Sequence, residues 1–137
     1  MGKTKQAKLI AAALKARKKA CAPYSKFKVG AALLTESGKI ICGANVESAS
    51  YGLTCCAERI ALFAALTSGE KKFEAIAVAA RIKGGGMPCG ACRQLLSEYA
   101  PNAVVWVCDS ARPGEVKEFS VQTLLPDAFL DFRKASA

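Results

Sequence analysis

Two short β-rich runs, residues 29–34 and 39–46, meet at Glu36-Ser37-Gly38, and beyond them segments of helical and strand character alternate along the chain. A polar, Gly-ended spacer between two such runs reads as a hairpin. Residues 55–67 carry apolar side chains at helical spacing and stop at Ser68-Gly69. Residues 73–81 read as a buried strand, followed by the loop Gly84-Gly85-Gly86. Residues 89–99 suit a helix bracketed by Pro88 and Pro101. Residues 103–109 and 116–121 read as strands, with a helical turn over 123–125. A further helix, over residues 4–20, opens the chain and stops before Pro23. A hairpin followed by this alternation predicts an α/β fold, a three-layer αβα sandwich around a mixed sheet of about five strands. A chain of 137 residues buries one core, so residues 1–137 are expected to form a single domain, with residues 1–20 as its basic N-terminal helix.

Charge is distributed unevenly. The formal net charge is +9, and residues 1–28 hold nine Lys or Arg and no acid, while the remainder is balanced. A basic arm of this kind can attract nucleic acid. We read it instead as the solvated face of an amphipathic helix, with Leu9, Ile10, Ala13 and Leu14 turned inward, because aromatics for base stacking are missing there. The longest apolar runs are too short to cross a bilayer, and no secretory leader opens the chain. A soluble, cytoplasmic protein with no membrane partner is expected.

Histidine is absent, and there are seven cysteines. The first fact excludes Ser-His and Cys-His nucleophiles and restricts any metal to thiolate or carboxylate ligands. An odd cysteine count in a reducing compartment argues against a disulfide framework. Pro88-Cys89-Gly90-Ala91-Cys92 supplies a C-x-x-C at the start of a predicted helix. Thr54-Cys55-Cys56-Ala57-Glu58 supplies further thiols 33 residues upstream, also at a helix start. Three thiolates with one open position describe a catalytic zinc rather than a closed structural one. Helix N-termini lower thiolate pKa values, and a zinc so held brings the pKa of its water to roughly 7–9.

With no histidine to move protons, Glu58 is the natural acid–base group, close to the metal without ligating it. Three thiolates leave the centre at −1, so a cation near the sulfurs should restore Lewis acidity. Arg59 and Arg93 both adjoin ligand residues, and Arg59 is preferred for that role. Adjacent helix residues point about 100° apart, so only one of Cys55 and Cys56 should face the metal, and spacing does not choose between them. Cys21, Cys42 and Cys108 lie in or beside apolar runs and are expected to be buried small hydrophobes. Strand alternation places Asn45 and Glu47 on one face.

These segments resemble the small cytidine deaminases, the homotetrameric type that acts on free nucleosides. Cys56-Ala57-Glu58 and Pro88-Cys89-Gly90-Ala91-Cys92-Arg93-Gln94 are similar to that family's two zinc motifs. The similarity runs over residues 24–129 and includes Phe27-Lys28-Val29-Gly30-Ala31-Ala32 and Leu124-Leu125-Pro126. It implies a Zn2+ site with Cys56 as the upstream ligand, beside Cys89 and Cys92, and Glu58 as proton shuttle. A cysteine in place of histidine at the first ligand looks like a mark of free-nucleoside enzymes rather than polynucleotide editors. The resemblance further implies that Asn45 and Glu47 bind ribose, Phe27 stacks on the pyrimidine, and Ala57 offers backbone groups to the base edge. Phe129 would be donated across a subunit boundary, with Tyr51 contributing to the same wall. Lys28 stands where many relatives have Pro, and Ser48 where Asn is common. The expected reaction is hydrolytic deamination of cytidine or deoxycytidine in pyrimidine salvage. Two rivals share its chemistry, a deaminase of a cytosine-bearing nucleoside antibiotic and an RNA editor using the basic arm. A third is a zinc-stabilised binding module without catalysis.

Overall fold

A computed structural model describes residues 2–130. The elements follow in the order α1 (Lys3–Arg17), β1 (Val29–Thr35), β2 (Ile40–Ala44), a single 3-10 turn (Tyr51–Leu53), α2 (Ala57–Thr67), β3 (Phe73–Ala80), α3 (Gly90–Tyr99), β4 (Val104–Asp109), β5 (Val116–Ser120) and α4 (Val121–Leu124). The five strands form one sheet in the order β2-β1-β3-β4-β5. β3 and β4 run parallel and every other neighbouring pair is antiparallel, so the sheet is mixed, as expected.

Two apolar clusters, one on each face of the sheet, make the three layers. On one face Leu9, Ile10 and Ala13 of α1 pack on Ala32, Ala75, Ala77 and Trp106. On the other, Ala57, Ala61, Leu62 and Ala65 of α2 and Leu96 of α3 pack on Ala31, Leu33, Ile76, Val78, Val105 and Val107. Alternation along each strand sends successive side chains to opposite faces, which is why nearly all of β3 is buried. Leu14, expected inside, is only half-buried. Two glycines set the spacing between layers. A Cβ on Gly30 would lie 2.0 Å from the Ala13 carbonyl oxygen of α1, and one on Gly43 would lie 2.6 Å from both Ala57 O and Ala61 N of α2.

Since α2 begins at this second contact, Gly43→Ala is expected to push the helix start outward. Overpacking of this kind costs about 1–3 kcal/mol. A lower denaturant midpoint is the expected result, and an unchanged midpoint would mean that α2 has slack to move.

Some boundaries differ from expectation for identifiable reasons. α1 ends at Arg17 because Cys21 is drawn into bridging: its N–H donates to Asn45 O (2.9 Å), and its carbonyl accepts from Glu47 N (2.9 Å). β2 ends at Ala44 because Val46 leaves β1 and pairs with Cys21 and Cys55. The hairpin closes at Gly38, whose φ of 93° is in the left-handed region that glycine tolerates. Of the three cysteines expected in the core, only Cys108 is buried. Cys21 is exposed in the bridging segment. Cys42 is exposed because β2 is the sheet edge, although its thiol lies against the Ala12 carbonyl of α1. Among the described residues no helix is long and apolar enough to cross a membrane.

Candidate active site

The register of the strands gathers three chain ends at one place. Val29 pairs with Ala80 and Gly30 with Ala44, so the start of β1 and the ends of β2 and β3 share one border of the sheet. α2 and α3 both begin there. Cys56 is the N-cap of α2 and Cys89 the N-cap of α3, each in extended backbone conformation and without a side-chain cap bond. Cys92 lies in the first turn of α3. Two N-caps and a first-turn residue therefore aim three thiols at the positive ends of two helix dipoles, which favours thiolate.

The sulfurs of Cys56, Cys89 and Cys92 all lie within 4.8 Å of one another. Cys56 Sγ is 3.7 Å from Cys89 Sγ, which is 3.5 Å from Cys92 Sγ. Tetrahedral zinc with Zn–S bonds near 2.3 Å puts two sulfurs about 3.8 Å apart, so these residues fit the ion. Among the described residues no fourth Cys, Asp or Glu joins the group, which leaves one corner for a water or substrate. Cys55, the alternative that spacing left open, is outside the trio. It lines the neighbouring cavity, its thiol against Cys56 O (3.7 Å) and its pKa raised by burial.

Charge around the trio is graded. The Cys56 thiol is pulled down to about 5, first by the Cys92 thiol donating to it and then by Arg59. Cys92 moves in the opposite direction, held protonated by the same bond and by burial. The first negative charge therefore sits on Cys56, and Cys92 loses its proton only as a cation enters. Arg59 Nη2 donates to Cys56 Sγ at 3.3 Å, whereas Arg93 turns away to donate to Pro88 O at 2.9 Å. Glu58, in the first turn of α2, is 5% exposed. Burial pushes its carboxyl up to about 7, a value at which it can both accept and return a proton near neutral pH.

A cavity of about 220 Å³ opens beside the sulfurs, lined by residues that include Phe27, Asn45, Cys56, Ala57, Glu58 and Cys89. Thr54 also belongs to a second, more open groove of about 420 Å³ formed with Tyr24, Ser25, Glu47, Ser48 and Tyr51. Asn45 and Glu47 thus border adjoining spaces rather than one strand face. Both are already engaged. Asn45 Oδ1 accepts from Val29 N and its Nδ2 donates to Phe27 O, each at 2.9 Å. Glu47 accepts from Tyr24 N (3.1 Å), Ser25 N (3.0 Å) and the Ser25 hydroxyl. Those bonds, the hydroxyl first, hold its carboxyl below the usual range.

Ala57 is fully buried at the first position of α2, Tyr51 is 87% exposed, and Phe129 is 60% exposed with its carbonyl accepting from Gln94 Nε2 (2.6 Å). Phe129 borders neither space. Sequence reasoning did not single out Ser25, Thr54 or Met87. Pro23-Tyr24-Ser25 carries a turn signal that could have pointed to the first, whereas Thr54 and Met87 carry none.

Residues 3–108 match the family described as the cytidine and deoxycytidylate deaminase zinc-binding region. The cytidine deaminase of Halalkalibacterium halodurans is 51% identical over 88% of this chain and 91% of its own length. That of Sporosarcina psychrophila is 48% identical over 89% of each. The crystal structure of cytidine deaminase from Burkholderia pseudomallei superposes with a TM-score of 0.86 at 51% identity, covering 94% of this chain and all of that one.

Proposed function

The chain belongs to the cytidine and deoxycytidylate deaminase zinc-binding family, and from that premise we propose how its residues carry out zinc-dependent hydrolysis of cytidine or deoxycytidine to the uracil nucleoside and ammonia. The observation that carries the proposal is a thiol trio at tetrahedral-edge spacing on the lip of a cavity that also admits a buried carboxyl. Cys56, Cys89 and Cys92 hold Zn2+. When bound, the ion would supply Lewis acidity and lower the pKa of a water toward neutrality.

Glu58 takes a proton from the attacking water. It delivers this proton to N3 of the pyrimidine as C4 becomes tetrahedral, then carries the second to the departing 4-amino group. The ring becomes a uracil and the amine leaves as ammonia, so every proton is accounted for. Arg59 offsets the excess negative charge of three thiolates through its bond to Cys56. Phe27 forms an aromatic wall for the base, and the start of α2 at Ala57 offers backbone groups to its edge. Asn45 keeps one free amide N–H after its two backbone bonds, and with Glu47 it meets the ribose where the two spaces adjoin at Thr54.

Phe129 has its ring in solvent and outside its own chain's cavity. That supports a homotetramer in which this residue and Tyr51 help to close a neighbouring site. We read residues 1–137 as one catalytic domain acting in pyrimidine salvage in the cytoplasm.

Ammonia release from cytidine and bound zinc, measured on the same purified sample, test the proposal. One zinc per chain and turnover of cytidine well above that of free cytosine are expected. Zinc without turnover, or a preference for a cytosine-bearing antibiotic over cytidine, would overturn the substrate assignment. Arg59→Gln is expected to lower zinc affinity or turnover by about 10–100-fold, the usual effect of losing a partner that supports metal ligands. Equilibrium dialysis and steady-state kinetics on this variant check it, and parental values for both remove Arg59 from the mechanism.

A further inference from the structure

We propose that the outer face of α1, with the turn that follows it, is a docking surface for the phosphate backbone of a nucleic acid. The helix spends its apolar side chains on the sheet, where Leu9, Ile10, Ala13 and Ala16 are buried. The opposite face is left to cations. Lys8 and Lys15 are two turns apart on one side of the helix, about 10 Å from each other, and Lys18 and Lys19 continue that side into the turn. All four are exposed, and among the described residues none pairs with a carboxylate, in contrast to Lys5, which meets Glu74 at 3.1 Å. Lys15 and Lys19 also flank a groove of about 510 Å³ against the β2 edge, and no acidic residue lines it.

The chemistry of this face selects its partner. The absence of aromatics on α1 counts against a single strand held by base stacking and leaves a duplex held through its phosphates alone. Lysines in a row instead suit contacts that neutralise successive phosphates and release their counterions. The buried apolar stripe leaves nothing on the helix to insert into a lipid surface, so a hydrated polyanion fits better than a membrane. The outer face of α1 lies on the other side of the sheet from the starts of α2 and α3, which hold the thiol trio, while the groove beside it reaches α2 at Ile60. A strand held there is therefore tethered and not presented as substrate, and nucleoside turnover proceeds independently of it.

A fluorescein-labelled, mixed-sequence DNA duplex serves as probe, with binding to the zinc-loaded protein followed by anisotropy across a salt series. Three phosphate contacts predict a slope of log affinity on log salt of about −2.7, or about 40-fold weaker binding at 200 mM than at 50 mM salt. The Lys15→Gln/Lys18→Gln/Lys19→Gln variant should lose this binding while deaminating cytidine at the parental rate, which also reports that it folds. The corresponding triple Lys→Arg variant should retain both. Absence of binding at 50 mM salt, or equal binding by the Gln variant, overturns the proposal. So does a variant that keeps duplex binding but loses adsorption to phosphatidylserine vesicles. Because deamination is read separately, failure of the docking surface leaves the catalytic reading untouched.

Discussion

Glu58→Gln is expected to keep zinc and fold while losing about 10²–10⁴-fold in turnover, the usual value of a positioned acid–base group. Gln fills the same volume in a site that is 5% exposed, so no void is created. It also removes a carboxyl whose ionisation burial already disfavours, and the melting temperature is therefore not expected to fall. What it lacks is a proton that can be taken up and given back. Single-turnover ammonia release and zinc analysis on one preparation separate the possibilities. Turnover within a few-fold of the parent would place the proton transfer elsewhere, and loss of zinc along with activity would mean that Glu58 supports the metal instead.

Cys92→Ala should act in the complementary way, abolishing zinc binding and with it all turnover. Its sulfur is within 3.5 Å of Cys89 Sγ, and the residue is 1% exposed. Zinc bound by folded thiolate sites is stabilised by about 10–16 kcal/mol at neutral pH, and removing one of three protein ligands takes away a large share of that. The sheet and its two apolar clusters do not depend on the trio, so the variant should still fold, with the starts of α2 and α3 loosened. Cys55→Ala is the matched control and should keep its zinc, because that thiol lies outside the group. A Cys92→Ala protein that retains stoichiometric zinc would refute the ligand set.

Much of the fold was legible because its signals are local. The hairpin announced itself through Ser37-Gly38, α3 through its bracketing prolines, and β3 through the apolar run from Ala75 to Ala80 that suits a strand covered on both faces. Cys89 and Cys92 were legible from their C-x-x-C spacing in a chain without histidine, whereas spacing left Cys55 and Cys56 open and the family resemblance picked Cys56. What the sequence concealed depends on pairings distant in the chain. Asn45 and Glu47 alternate in sequence, but β2 stops at Ala44, since Val46 bridges Cys21 and Cys55 in place of β1, and the two side chains then bond to different parts of the α1–β1 connection, Asn45 at Phe27 and Val29 and Glu47 at Tyr24 and Ser25. Cys21 and Cys42 looked like core residues because apolar neighbours surround them in sequence. Which strand forms the edge of a sheet is decided by the whole topology, and no window of residues carries that information.

The Asn45 amide spans the backbone on both sides of residue 28, bonding to the carbonyl before it and the N–H after it. It therefore works as a rivet that fixes the backbone carrying the Phe27 ring. Truncating it would loosen the backbone that carries the ring as well as release the sugar contact proposed for it. The damage would extend to free cytosine, a ligand with no ribose to lose, and comparing the two ligands separates the rivet from the handhold.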